Sequence, residues 1–139
     1  MTVAFFGHSD ATSEILPRLM ALAEDLILNH GATTLYVGNH GNFDAMTAAL
    51  FRTLRERYPN IHCYVVRAYL PSEGEQELSD ETLYPEGLET VPQRFAISHR
   101  NRWMVEHSDE VVCYVTHPCG GAHTAMEYAR RRKKTIYML

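Results

Sequence analysis

The 139-residue chain lacks several features that mark large classes of proteins. No stretch approaches the ~20 consecutive apolar residues of a membrane-spanning helix. Its first residues, Met-Thr-Val-Ala-Phe-Phe-Gly, have no basic start and too short an apolar run for a secretory signal. Three cysteines are too few and too uneven for a disulfide framework. We therefore expect free thiols and a cytoplasmic, reducing setting.

An excess of basic charge is also missing. The chain carries 13 Lys and Arg against 17 Asp and Glu, a net charge of -4. Nucleic-acid-binding domains are usually basic, so the composition predicts no nucleic-acid partner. Hydrophobic residues make up 45% and charged residues 22%, which is typical of a folded globular domain. Without internal repeats or low-complexity tracts, a single domain over 1–139 is expected, with no membrane partner.

Short apolar runs alternate with segments of helical periodicity. Such runs bounded by glycine are typical of buried parallel strands, and positions repeating every three to four residues are typical of amphipathic helices. Strands are predicted at 3–6, 34–37, 61–66, 110–116 and 135–139, and helices at about 10–29, 43–58, 92–107 and 120–133. This α/β alternation predicts a Rossmann-like three-layer α/β/α sandwich, with a five-stranded, mainly parallel sheet in the order 3-2-1-4-5.

That order places a ligand cleft between the first and fourth strands. Ligands of such sheets bind at the carboxyl ends of the strands, where the strand order reverses. The glycine-bearing loops 7–10, 38–44 and 116–124 should converge there. Gly120-Gly121 opens the last helix, and free N–H groups at a helix start attract an anion, usually phosphate.

The periodicity stops between residues 70 and 91. This segment holds seven acidic residues and no Lys or Arg. A loop of this length in a compact domain is typically a lid, a binding loop or a solvated insert. We expect an acidic insert or lid here.

Three side chains near the glycine turn are candidates for chemistry. Arg100 and Asn101 share helix faces with apolar residues, so a half-buried guanidinium should need a carboxylate or a phosphate as partner. A structural salt bridge is the alternative. Glu127, two turns into the last helix, is predicted to look toward the cleft, and a solvated helix carboxylate is its alternative.

Other polar residues in this region give weaker indications of a functional site. His117, Cys119 and His123 have no matched second pair of ligands, so no metal is expected, and no cofactor either. A helix start favours a Cys119 thiolate, but no base or orienting partner is assigned. The basic run 130–134 ends a helix, where cations suit the dipole, and is interpreted as a solvated helix end.

The rear half of the chain resembles the SLOG superfamily, whose best-known enzymes are the Lonely Guy cytokinin-activating phosphoribohydrolases. Those enzymes carry Arg-Lys-x-x-Met, then Ser/Ala-Asp, a strand, and Pro-Gly-Gly-x-Gly-Thr-x-x-Glu. Asn101 stands at their lysine, Cys119 at their proline and His123 at their third glycine. The matching residues are Arg100, Met104, Ser108, Asp109, Gly120, Gly121, Thr124 and Glu127.

The front half resembles the compact bacterial branch of the same superfamily. That branch has Gly-His after the first strand, as in Gly7-His8, and Gly-x-x-Gly-x-x-Asp after the second. The second pattern matches Gly38, Gly41 and Asp44.

The resemblance implies a domain that binds a nucleotide or a nucleotide derivative. Its glycine turn and Thr124 would hold the phosphate, while Arg100 and Glu127 would act at the ribose, where the N-glycosidic bond breaks. A carboxylate would stabilise the oxocarbenium-like transition state by charge. The implied ligand-binding residues are Gly7, His8, Gly38, Gly41, Asp44, Asn101, Cys119, Gly120, Gly121, His123 and Thr124.

Two functions follow as expectations. The first is hydrolysis of the ribosyl–base bond of a nucleoside monophosphate or related nucleotide, and the alternative is a non-catalytic sensor of a nucleotide-derived signal. By resemblance a homodimer is expected, with Trp103 and Phe95 as candidate contacts.

Overall fold

A parallel sheet with helices on both faces organises the protein. The computed structural model describes residues 1–70 and 81–139. Within these residues the strands are β1 (Thr2–Gly7), β2 (Thr34–Val37), β3 (His62–Val66), β4 (Thr82–Leu83), β5 (Glu110–Tyr114) and β6 (Thr135–Met138). The helices are α1 (Leu16–His30), α2 (Asn42–Arg57), α3 (Ala96–Glu106) and α4 (Gly120–Arg131). Three short 3₁₀ turns lie at Ser13–Ile15, Leu88–Thr90 and Gln93–Phe95.

The strand count and the strand order differ from the prediction. The described sheet has six strands in the order β4-β3-β2-β1-β5-β6, and every pairing is parallel. The additional strand β4 pairs with the end of β3, Val65 beside Thr82 and Val66 beside Leu83. It comes from the segment expected to be an insert, where a two-residue strand leaves no periodicity to detect. Residues 71–80, most of the expected lid, lie outside the described residues.

Successive side chains of β1 point alternately into two apolar layers, one on each face of the sheet. Val3 and Phe5 face one layer and Ala4 and Phe6 the other, and all four are buried. The first layer is formed with α1 and α2 and the second with α3 and α4. Because both faces of the central strand are covered, the run has no polar position, as expected for a buried parallel strand.

Several helix boundaries differ from the prediction. Neither Asp10 nor Thr12 caps α1, which begins at Leu16 after the 3₁₀ turn Ser13–Ile15. α1 ends as expected at Gly31, whose φ of 76° is a left-handed conformation that glycine adopts without strain. The third helix starts later than residue 92, at Ala96, because Gln93–Phe95 forms a 3₁₀ turn.

The two candidate dimer contacts differ in exposure. Trp103 is half-buried, with its ring 5.4 Å from that of Tyr36 and stacked on His107 at 4.2 Å. Phe95 is 46% exposed and lies beneath the Arg94 guanidinium. Phe95 is therefore the more exposed of the two aromatic residues, and the homodimer stays a prediction.

In the described part of the chain, no helix has the length and apolar character needed to cross a membrane. The thiols of Cys63 and Cys113 are free and buried, and burial raises the pKa of each to about 12. These two thiols therefore behave as core residues rather than as nucleophiles.

Candidate functional site

Three loops and one helix enclose a cleft of about 270 Å³ at the carboxyl ends of β1 and β2. The loops follow β1 and β2 and precede α4, and one side of α3 forms the fourth wall. We call this cavity the anion cleft. Eight predicted site residues line it: Gly7, His8, Gly38, Asp44, Arg100, Asn101, Gly120 and Gly121. The cleft is also lined by residues that were not predicted as site residues: Phe6, Ser9, Asp10, His40, Ile97, His117 and Ala122.

The Arg100 guanidinium lies at the floor of the anion cleft and is more deeply buried than predicted. Its side chain was expected to be half-buried, yet the residue is only 2% exposed. Nε donates to Asn101 Oδ1 at 2.8 Å, and Nη1 donates to Asn39 Oδ1 at 3.1 Å and to the Val66 carbonyl at 2.9 Å. Nη2 has no hydrogen bond to the residues that the structure describes. The neutral oxygens hold the guanidinium in place and leave one edge for a ligand.

Asp44 supplies the acidic group of the same cleft. It is 8% exposed, and its Oδ2 accepts a hydrogen bond from the His40 N–H at 2.9 Å. Burial raises the pKa of Asp44 to about 6, against the lowering effects of this hydrogen bond and of Arg100. Burial in turn lowers the pKa of Arg100, and the nearby Asp44 charge opposes that effect. The two groups are therefore electrostatically coupled.

Gly38 makes this arrangement possible. A Cβ at this position would lie 2.7 Å from Asp44 Oδ2 and 2.8 Å from Arg100 Cζ, closer than real Cβ atoms approach such groups. The strand can therefore end against both charged groups only because residue 38 has no side chain. The Gly-x-x-Gly-x-x-Asp pattern serves this packing through its first glycine and its aspartate.

Gly41 lies beside the anion cleft and shapes its loops. Its φ of 93° is left-handed, and a Cβ there would lie 2.4 Å from the Cβ of Ser9. The next residue, Asn42, donates its N–H to the Ser9 carbonyl at 2.8 Å. This glycine thus ties the loop after β2 to the loop after β1.

His8 is a buried acceptor in the wall of the anion cleft. Its Nε2 accepts a hydrogen bond from the Thr116 N–H at 2.9 Å, which requires the neutral tautomer with its proton on Nδ1. The ring stacks on that of His117 with centroids 3.7 Å apart. Burial lowers the pKa of His8, and His117 lowers it further, while Asp10 raises it. His8 is therefore neutral near neutral pH and contributes a ring surface and an Nδ1–H.

The first turn of α4 presents open backbone to the anion cleft. Gly120 has a φ of 89°, which glycine adopts readily, and no described residue outside its own helical turn has an atom within 4 Å of where its Cβ would be. The nearest atom to a Cβ on Gly121 is Asn101 Nδ2 at 3.7 Å. The helix has 12 residues, so its unpaired N–H groups carry a partial positive charge.

Four predicted residues of this region lie outside the lining of the anion cleft. Glu127 pairs with Arg130 Nη1 at 2.5 Å and lies 3.9 Å from His123 Nε2. Thr124 donates its hydroxyl to the Gly120 carbonyl at 3.1 Å, within the helix. Cys119 is exposed, with Sγ 3.0 Å from His117 Nδ1. The structure thus supplies the imidazole neighbour for Cys119 that the sequence left unassigned. Among residues 1–70 and 81–139, no cluster of three His, Cys, Asp or Glu residues could hold a metal ion.

A second cavity of about 260 Å³ continues from the anion cleft between α3 and α4. We call it the α3–α4 groove. It shares Ile97, Asn101 and Gly121 with the anion cleft. Its remaining lining residues are Arg94, Ser98, Arg102, Thr124, Ala125, Tyr128 and Arg131. The groove was not predicted from the sequence, because the arginines that line it come from segments that are far apart in the chain.

Comparison with known proteins identifies the fold. No family model and no curated protein sequence matches the chain. A solved structure of DNA processing protein A from Helicobacter pylori, described for its single-stranded DNA binding mode, matches it with a TM-score of 0.71 and 17% sequence identity. The match covers 99% of this chain and 64% of that chain, so this chain spans less than two thirds of its neighbour. The protein thus has a Rossmann-like α/β fold.

The same comparison contradicts two expectations. We expected a free nucleotide or its derivative as ligand, either hydrolysed or sensed, and no nucleic-acid partner. The neighbour that shares the fold binds single-stranded DNA, so both expectations are wrong. Net charge is also a weak guide for this chain, because its acidic residues are unevenly distributed. Residues 71–80 hold four of the 17 acidic residues and no Lys or Arg, so the rest of the chain carries 13 charges of each sign.

Proposed function

We propose that this protein binds single-stranded nucleic acid and holds one backbone phosphate in the anion cleft. The observation that carries the proposal is the Arg100 guanidinium, 2% exposed at the floor of a cleft whose wall is the open first turn of α4. A buried guanidinium with a free edge is suited to a phosphate, because charge-assisted hydrogen bonds are strong where water is excluded. The partial positive charge of the helix start acts on the same position.

Protonation of Asp44 makes the charge of the anion cleft favourable for an anion. Among the described residues that line the cleft, only Asp44 and Asp10 carry negative charge, and Asp10 is exposed to solvent. With a pKa of about 6, Asp44 takes up a proton more readily than an ordinary aspartate. An approaching phosphate favours that protonation further, because it adds a second negative charge beside the carboxylate. Arg100 then remains as the uncompensated charge of the floor.

A single strand fits this concave site better than a duplex. The cleft lies below the rim of three loops, so a phosphate must enter a recess to reach Arg100. A single strand can turn its backbone inward and leave its bases to neighbouring surfaces. A duplex holds its phosphates on a regular outer surface, and proteins contact it best with elements that protrude into its grooves.

We also assign the chain to the SLOG superfamily, as a single domain over residues 1–139. The Rossmann-like fold and the sequence motif support this assignment together. The motif's Arg100 and Gly120-Gly121 meet at one cleft, although they are 20 positions apart. Glu127, the carboxylate that ends the motif, pairs with Arg130 outside the cleft lining, so only binding is proposed.

The test is a binding titration with the Gly121→Asp variant. Fluorescence anisotropy of a labelled single-stranded oligonucleotide reports binding, with RNA and a duplex of the same sequence as parallel probes. An aspartate in the first turn suits the helix dipole, so the fold should keep its stability. Its carboxylate would face the phosphate, and we expect at least about tenfold weaker binding, since two negative charges a few ångströms apart repel each other by on the order of 1 kcal/mol or more even in water.

Two control variants complete the experiment. Gly121→Ala adds a methyl group without charge, and Arg18→Ala removes an exposed cation from α1, a helix that contributes no residue to the lining of the anion cleft. Arg18→Ala should bind like the wild type. Absence of single-strand binding by the wild type, or equal affinity of Gly121→Asp, would refute the proposal.

A further inference from the structure

We propose that the α3–α4 groove takes one unstacked base of the strand whose phosphate lies in the anion cleft. This inference rests on the proposed function, since it names where the neighbouring part of the same ligand goes. The carrying observation is the shared wall of the two cavities, formed by Ile97, Asn101 and Gly121. A ligand group leaving the cleft past Gly121 therefore enters the groove directly.

The lining of the groove suits a flat heteroaromatic ring. Ile97, Ala125 and the ring of Tyr128 give it apolar walls, while Ser98 and Thr124 provide hydroxyl groups. Its volume of about 260 Å³ is below the ~300–1,000 Å³ of sites for drug-sized ligands. It thus has room for one ring system and not for a folded protein segment. Walls that are apolar with a few hydroxyl groups match the faces and polar edges of a base.

The charge around the groove identifies the chemistry of the occupant. Arg94, Arg102 and Arg131 all line it and are all exposed. The Arg102 and Arg131 guanidinium carbons lie 5.9 Å and 5.8 Å from the centre of the Tyr128 ring. Guanidinium planes beside an aromatic ring offer stacking surface and positive charge together. This combination is the one that single-strand binding sites use for bases and their phosphates.

Acidic groups near the groove are already paired. The Tyr128 hydroxyl donates to the Glu106 carboxylate, which fixes the ring. Glu127 is paired with Arg130, one turn further along α4. None of the described residues that line the groove is acidic, so its three arginines can pair with an anionic ligand. A strand of nucleic acid satisfies the apolar walls and these charges at once.

The experiment separates base binding from phosphate binding with a groove-filling variant and a baseless ligand. Ser98→Phe places a ring in the groove, and His99→Phe is its matched control, because His99 is an exposed neighbour on α3 that lines a different cavity. Each protein is titrated with an ordinary single-stranded oligonucleotide and with a strand of equal length built from abasic sites. Thermal unfolding confirms that both variants fold.

The wild type and His99→Phe should bind the ordinary strand about tenfold more tightly than the abasic strand, as stacking of one base predicts. Ser98→Phe should lose this preference while its affinity for the abasic strand stays that of the wild type. An equal loss for both strands, or no loss for either, would overturn the base subsite but leave the anion cleft intact. If the wild type binds neither strand, the proposed function itself fails, and this inference with it.

Discussion

Asp44 should make the protein less stable as the pH rises from about 4 to about 6, and Asp44→Asn should remove this dependence. The carboxyl group is 8% exposed and accepts one hydrogen bond, from the His40 N–H at 2.9 Å. Burial raises its pKa from 3.8 to about 6, despite the opposing effects of that hydrogen bond and of Arg100. The ionised form is therefore disfavoured in the folded protein relative to the unfolded chain.

The size of the effect follows from the shift. Each pKa unit corresponds to 1.36 kcal/mol, so a shift of about two units is worth roughly 3 kcal/mol. Between pH 4 and 6 the folded protein holds more protons at this site than the unfolded chain does, so the free energy of unfolding falls as the pH rises. Asp44→Asn resembles the neutral acid at every pH. It should match the wild type near pH 4 and exceed its stability near pH 8 by up to roughly 3 kcal/mol.

His8 changes the pH dependence of stability in the opposite direction to Asp44. The effect of Asp44 must therefore be measured as a difference between the wild type and the Asp44→Asn variant. Burial lowers the pKa of His8 below 6.5, so the unfolded chain binds a proton more readily and stability is lost as the pH falls below that value. Since both proteins contain His8, its contribution cancels in the difference between them. Urea unfolding near pH 4, 6 and 8 measures that difference, with Glu14→Gln as an exposed control. A constant difference at all three pH values, or an Asp44→Asn protein less stable than the wild type near pH 8, would refute the reasoning.

Two further predictions concern the glycines and the arginines of the site. Gly38→Ala should lower the free energy of unfolding by about 1–3 kcal/mol, because its Cβ would lie 2.7 Å from Asp44 Oδ2. Gly121→Ala should change it by less than about 1 kcal/mol in urea unfolding, because the nearest atom of the described residues outside its helical turn is 3.7 Å from the added Cβ. Equal stabilities would contradict this. Arg131→Ala should weaken single-strand binding and lower the slope of log affinity against log salt by about 0.7, if Arg131 contacts one phosphate. An unchanged slope in anisotropy titrations would place Arg131 away from the backbone.

The strands and their layers could be predicted because their signals are local. Apolar runs that end at Gly7 and Gly38 require burial on both faces, and the parallel α/β architecture that this implies is confirmed. β4 could not be predicted, since its two residues form a strand only by pairing with Val65 and Val66. Local pattern therefore determines the long central strands, whereas tertiary pairing alone creates the short edge strand.

The residues of the anion cleft also divide into those that could be predicted from local sequence and those that depend on the tertiary structure. Glycines at strand ends were predictable, because close backbone approach there requires them. Glu127 was expected to look into the cleft, and the geometry of α4 explains why it pairs with Arg130 instead. It lies seven residues after Gly120, so at 1.5 Å per residue it is about 10 Å along the helix axis from the first turn. A glutamate side chain does not cover that distance to a phosphate held at the helix start.

Net charge alone does not decide whether this chain can bind an anion, because recognition depends on where charge lies. Residues 71–80 alone account for the excess of acidic residues, and the rest of the chain is balanced. Arg94 and Arg131 are 37 positions apart, yet the packing of α3 against α4 places both in one groove. The electrostatic potential that an anionic ligand would meet at contact comes mainly from charges within a Debye length, about 10 Å at 0.1 M salt. A chain of negative net charge can therefore present a cationic groove, and only the fold shows which arginines form it.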